Sequence, residues 1–274
     1  MKVVALIGPG ANHRALASRL HGVHPLVHVA IVSSPAPARR QPIAPRLAAR
    51  TIAWPLRRAW FAMLAHYRTT TTPVPAPTSR HLDVNSASVA ALIARERPDL
   101  VVVSGTNLLR APLIAQVAAH GRIMNLHTGI SPYLKGGPNC TNWALALGRF
   151  ELIGSTIMWL DRGIDTGDII ATEQAPLSGR ERLGELHLRV MEHAHDLYAR
   201  CYALAVAGEA LPSVAQATIG AGLLRRSRDW TATQMLRALA NFYLRYRPAA
   251  LGRGGDGGGG GLTLVSPERG AHEA

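Results

Sequence analysis

Lysine is nearly missing from this sequence. Only Lys2 and Lys135 occur, although Lys and Arg together number 30 among 274 residues. Acidic residues are also scarce: Asp plus Glu number 17, which leaves a formal net charge of +13 carried almost wholly by arginine. Abundant Ala and Gly beside this arginine bias point to GC-rich coding as one cause. A basic surface also suits an anionic partner such as tRNA, a nucleotide sugar or a phosphorylated metabolite. The arginines are scattered, however. Pairs stand at Arg39-Arg40, Arg57-Arg58 and Arg225-Arg226, with no long run and no interleaved aromatics. Nucleic acid is therefore not the expected partner.

Cysteine is equally scarce. Cys140 and Cys201 are too few for a disulfide framework or a four-cysteine zinc site and read as reduced thiols. No apolar run approaches a membrane span. The run after Lys2 is too short for a signal-peptide core, so the expectation is a cytoplasmic protein without a membrane partner. His187, His193 and His195 cluster in one segment, but no HExxH pattern accompanies them, and no metal is expected. Gly8-Pro9-Gly10 lacks the full GxGxxG, and Pro9 removes a backbone N–H that a phosphate would use. Hydrophobic residues make up 47% of the chain, a globular composition.

What is present is an alternation. Residues 3–7 form a short apolar run ended by Gly-Pro-Gly, residues 12–20 carry helical spacing, and residues 26–32 read as a second strand. After an interruption, residues 85–97 read as a helix and 100–103 as a buried strand. A helix over 112–119 and a strand over 122–126 follow. Further strands are expected over 153–160 and 168–172, and a long amphipathic helix over 183–206 that Gly208 ends. This predicts an α/β, Rossmann-like fold: an open, mostly parallel sheet with helices on both faces. The expected layout is one main domain over 1–208 and a small C-terminal extension over 209–250. A Gly-rich tail over 251–274 is expected to be disordered. Residues 33–82 are an insertion, Pro-rich at both ends, with a short helix near 54–67 and the rest lying as loop over one end of the sheet. Its Trp54, Trp60 and Phe61 either line a pocket or anchor the insertion. The extension should hold a strand near 214–219 and a helix near 233–246.

The strand ending at Leu126 delivers MNLHTGISP. Asn125 and His127 are two apart and share one face of an extended chain. They stand at the carboxyl end of a core strand, where ligands collect in such sheets. The turn DRGIDTG, later in the chain, could bring Asp165 to them. An amide and an imidazolium can stabilise an oxyanion developing on a carbonyl carbon. A carboxylate beside them keeps the imidazole protonated and can take a proton from an attacking amine. Spacing alone equally allows Asn125 as a turn cap, His127 as a core histidine and Asp165 as a turn residue before glycine. Ser131 and Cys140 lie in the same region, with no evident partner for either.

The segments NLHTGISPYLKGGPNCTNWALALG and IGSTIMWLDRGIDTGDII resemble the heart of the folate-dependent formyltransferases. That family includes glycinamide ribonucleotide, methionyl-tRNA and sugar N-formyltransferases. The resemblance covers roughly residues 1–33 and 83–208. It implies the formyltransferase fold, 10-formyltetrahydrofolate as formyl donor, and Asn125, His127 and Asp165 as catalytic residues. SGTNLLRAPLIAQV resembles the segment that grips the pterin, which makes Thr106, Asn107, Leu108 and Leu109 candidates for the folate pocket. Leu160, Asp161 and Gly163 would form its other wall. LIGPGANHRALA resembles the family's first strand and loop and places Gly10 and Asn12 on the acceptor side, together with Gly129 and Ser131. Where the family commonly has Pro-Ser-Leu-Leu-Pro after the histidine, this chain has Thr128-Gly129-Ile130-Ser131-Pro132.

The residues after Gly208 are too few and too Gly-rich for the C-terminal barrel of the tRNA enzymes. By elimination the expected acceptor is a small amine: an amino sugar, an amino acid or a natural-product intermediate. Formylation of an aminoacyl-tRNA and a non-catalytic binding module on the same fold are the alternatives. Neither the acceptor nor the oligomeric state is written in the sequence.

Overall fold

The computed structural model describes residues 1–33, 51–137, 139–160, 167–246, 263–266 and 270–273. The chain begins β1 (Val3–Ile7), α1 (Ala11–Val23), β2 (His28–Val32), α2 (Trp54–Thr70), β3 (Thr78–His81) and α3 (Ala87–Glu96). It continues β4 (Leu100–Ser104), α4 (Ala111–Ala118), β5 (Arg122–His127), β6 (Leu134–Gly136), α5 (Cys140–Leu147), β7 (Gly154–Trp159) and β8 (Ile169–Gln174). The last part holds α6 (Leu183–Val206), α7 (Gln216–Ile219), β9 (Leu223–Arg225), α8 (Ala232–Asn241), β10 (Thr263–Ser266) and β11 (Gly270–Glu273).

The runs of β1, β2 and β4 are buried along their whole length, as strands covered on both faces must be. They lie in a sheet ordered β3-β2-β1-β4-β5-β7-β8. The first five strands of that order are parallel, and β7 and β8 are antiparallel. The fold is thus the expected α/β one, an open and mostly parallel sheet. Alternation along each strand divides the core. Val3, Ala5, Ile7, Val102 and Met124 face α1 and α6, meeting Leu16, Leu20, Leu197 and Tyr198. Val4, Leu6, Val101, Val103 and Ile123 face α3 and α4, meeting Val89, Ile93, Leu113 and Val117.

The insertion is more than a loop over the sheet end. Its helix, α2, packs on α1 and α6 through Leu56, Ala59, Met63 and Tyr67. Its last residues form β3, which pairs in parallel with β2 and becomes the sheet edge. Thr-Ser-Arg-His alternates between exposed and half-buried, so this strand had no apolar pattern to reveal it. Residues 34–50 lie outside the described part.

The C-terminal extension departs from expectation at two places. Residues 216–219 are a helical turn, not a strand, and only Val214 makes a bridge, to Ile169. The strand is β9, which pairs with β6. Within the tail expected to be disordered, β10 and β11 pair as a hairpin. Val265 is fully buried, and its N–H donates to Thr172 Oγ1 at 2.7 Å. Apolar Leu264 and Val265, after the glycine run, supply the burial that a wholly polar tail lacks.

Candidate active site

Strand β5 is fixed from both sides, with Asn125 opposite Val103 of β4 and opposite Met158 of β7. Period two places Ile123, Asn125 and His127 on one face, the α3/α4 face to which Ile123 contributes. A buried tyrosine holds the adjoining backbone. Tyr198 of α6 donates to Met124 O at 2.6 Å and accepts from Val103 N–H at 3.1 Å. The Asn125 side chain, half-buried, has no hydrogen-bond partner among the described residues, so its amide N–H groups remain available.

His127 is buried, and its Nε2–H donates to the Leu134 carbonyl at 3.0 Å. That bond fixes the proton on Nε2 and leaves Nδ1 as the nitrogen whose protonation can change. The partner that sequence did not supply for Cys140 is this ring: Sγ lies 3.6 Å from Nε2, and the thiol donates to Gly136 O at 3.4 Å. The intervening loop is clamped by Thr156, the cross-strand partner of His127. Thr156 Oγ1 donates to Gly129 O at 2.6 Å and accepts from Ser131 N–H at 2.9 Å. Gly129 leaves no room for a side chain, since a Cβ there would lie 2.7 Å from His127 Nε2. Ser131 is fully buried, its Oγ without a partner among the described residues. Asp161, Gly163 and Asp165 lie outside the described residues.

At the other candidate positions the roles divide. Asn107 is tied down: its Oδ1 accepts from Val84 N–H at 3.0 Å, and its Nδ2 donates to Asp83 at 2.8 Å. Thr106 Oγ1 donates to Asn107 O at 2.9 Å. Leu108 is exposed, while Leu109 is buried in the α3/α4 core against which Leu160 also packs. Gly10 is the N-cap of α1, and buried Asn12 directs Nδ2 at Met191 Sδ, 3.8 Å away.

Sequence reasoning missed His13. Its ring fills the notch between the ends of β1 and β4, with Nδ1 3.0 Å from Ser104 Oγ. Gly105 must be glycine, both for its φ of +70° and because a Cβ would lie 2.2 Å from this ring. Burial, then Arg14, lowers the His13 pKa to about 4, so the ring is neutral at pH 7. The only advance signal was the pair of strand-end glycines, Gly8 and Gly105, that flank it. The three histidines of α6 do not converge. His187 packs edge-on to Trp60, His193 faces Glu173 at 3.4 Å, and His195 packs on Tyr67. Among the described residues no helix is long and apolar enough to cross a membrane.

Comparison with known proteins supplies the family. The profile of the formyl transferase family matches residues 1–202. A methionyl-tRNA formyltransferase of Syntrophus aciditrophicus is 33% identical over 119 residues, covering 43% of this chain and 37% of that protein. One from Alkaliphilus oremlandii is 36% identical over 96 residues, covering 35% and 30%. The matched part is thus about a third of the length of these curated relatives. Among solved structures, a sugar N-formyltransferase from Shewanella sp. superposes with a TM-score of 0.55 at 14% identity, covering 100% of this chain and 96% of that one. Phosphoribosylglycinamide formyltransferase from Anaplasma phagocytophilum gives 0.54 at 18% identity, covering 82% and 98%. These two likenesses are of fold alone. With the profile running from β1 into α6 and taking in Asn125 and His127, the chain belongs to the formyl transferase family.

Proposed function

We propose that this protein transfers a formyl group from 10-formyltetrahydrofolate to the amino group of a small molecule: an amino sugar, an amino acid or a natural-product intermediate. The observation that carries the reading is the pairing at the end of β5. An Asn125 amide with no partner among the described residues stands two residues before a histidine whose Nε2 proton is anchored on Leu134 O. When bound, the folate supplies an activated formyl carbon. The acceptor nitrogen adds to that carbon, and its oxygen becomes an oxyanion. The Asn125 amide and the protonated His127 donate to it. Asp165 takes the proton lost by the amine, the bond to the folate nitrogen breaks, and that nitrogen is protonated. The carboxylate also favours the charged imidazole. Thr106–Leu109 and Leu160 would hold the pterin, with Asp161 and Gly163 on the same wall. Gly10, Asn12, Gly129 and Ser131 would lie on the acceptor side. No step requires a metal, and the reaction is assigned to the cytoplasm.

A second reading, formylation of an aminoacyl-tRNA, is favoured by the names of the curated relatives. The test of both is conversion of 10-formyltetrahydrofolate to tetrahydrofolate, followed by absorbance, with a panel of amines and with charged tRNA. Wild type should turn over with a small amine, and Asp165→Ala should not. No turnover with any acceptor, together with no folate binding, overturns the proposal.

A further inference from the structure

The donor candidates Leu109 and Leu160 belong to the α3/α4 face of the sheet. On the opposite face lies a cavity of ≈ 290 Å³ between α1, β2 and the segment joining α2 to β3. Ile7, Ala17, Val29 and Ile31 make its buried lining, and Val74 packs over them from the insertion. Two exposed arginines, Arg14 and Arg68, also line it, and among the described residues no acidic one does. Neither arginine has a carboxylate partner among the described residues, whereas Arg19, Arg149, Arg189 and Arg200 all do. Arg14 is held toward the strand-end loop by donating to Pro9 O at 2.7 Å. The register ties the cavity to the candidate active site. Ile7 is opposite Ser104, and the preceding pair leads from Leu6 through Val103 to Asn125. Strand β5 is two inter-strand steps from β1, about 10 Å.

We infer that this cavity seats an apolar, anion-bearing ligand. A body of aromatic-ring size fills the interior, and a carboxylate or phosphate lies between Arg14 and Arg68. An apolar interior rewards the body by burial, and the unpaired guanidiniums recognise the anion. Under the formyltransferase reading, on which this part rests, the ligand is the body of the acceptor. Donor and acceptor then approach the carboxyl edge from opposite faces. The insertion, which supplies Arg68 and Val74, sets the acceptor class.

Three probes that share one body test this: 4-phenylbutyrate, 4-phenylbutanol and 4-phenylbutylamine, titrated calorimetrically into the full chain. The butyrate should bind roughly tenfold more tightly than the alcohol, and the amine most weakly. The Arg14→Gln/Arg68→Gln double variant changes only exposed side chains and should erase that order. Val74→Trp should abolish binding of all three. Equal affinities for the three probes in wild type, or an order unchanged in the double variant, overturn the inference. Formyl transfer is measured beside it. Probe binding without inhibition of transfer to the active amine overturns the acceptor assignment. Probe binding in a protein that transfers formyl to no amine supports the ligand class while bringing down the formyltransferase reading.

Discussion

His127 Nε2 and Cys140 Sγ stand 3.6 Å apart, and the α-carbon of Gly129 closes the space beside both. A methyl group at position 129 would lie 2.7 Å from the imidazole nitrogen, 2.8 Å from Cys140 Cβ and 3.0 Å from Leu134 O. Gly129→Ala must therefore shift the ring, Cys140 or the loop that carries Leu134 O, and each of these movements disturbs the His127–Leu134 bond. We expect formyl transfer to fall roughly 100-fold, since a misplacement of about 1 Å at a reacting centre has that effect. Turnover of the folate donor measures it, with circular dichroism confirming the fold. Wild-type turnover would show that His127 does not need its present position.

The insertion helix α2 covers two imidazoles. Burial holds the His187 pKa at about 4, and burial, then His13 and Arg19, holds that of His195 at about 3. Neither Nε2 has a hydrogen-bond partner among the described residues. Unfolded, both rings titrate near 6.5. The unfolded chain thus binds more protons over the interval between. The stability tied to neutral rings is complete above pH 6.5 and is lost as pH falls toward 3. For His187 it amounts to on the order of 3 kcal/mol. Urea midpoints at pH 7.5 and 5 should differ, and the difference should shrink in His187→Leu. An equal drop in that variant would assign the acid sensitivity elsewhere.

Tyr198 serves two strands with one hydroxyl, at Val103 and Met124. Tyr198→Phe leaves both backbone groups buried without that partner, at a cost of about 1–3 kcal/mol. Because Val103 is opposite Asn125, turnover should fall as well. Chemical denaturation and turnover check both. A variant that keeps wild-type stability would mean water replaces the hydroxyl.

Glu181 is buried and anchors the C-terminal extension. It accepts from Ser178 N–H at 2.7 Å, Ser178 Oγ at 2.8 Å, Arg189 at 2.9 Å and Tyr246 Oη at 2.9 Å. Burial opposes its charge, but the hydrogen bonds from Ser178 and Tyr246 and from its own backbone outweigh burial and bring its pKa to about 2. Its contribution is present above the unfolded value of 4.5 and is lost as pH falls toward 2. Tyr246→Phe should lower stability by about 1.5–3 kcal/mol. Amide exchange along α8 should accelerate, and unchanged exchange would show that α8 docks without this bond.

The parts of the fold legible in sequence were those with a strong local period. The apolar runs of β1 and β4 and the amphipathic span of α6 declared themselves. β3 did not, because an edge strand of Thr, Ser, Arg and His buries too little to need an apolar code. Asn125 and His127 could be picked out as candidates through their motif; spacing alone did not single them out. The groups that set their geometry could not be picked out. Leu134 acts through its backbone, Thr156 is a cross-strand partner, and Cys140 meets His127 only because a loop folds back. His13 was hidden because a lone histidine in the first turn of a helix carries no pattern. Its role depends on Gly105, which is distant in sequence.

The rings of Trp60 and Tyr67 rest on His187 and His195, so α2 is not a removable ornament. A chain trimmed to the bare sheet and its flanking helices would present two wetted imidazoles and the apolar flank of α6 where a packed seam now lies. The surface of α6 would have to be rewritten before α2 could be taken away, so the helix is a dependency of the fold and not an addition to it.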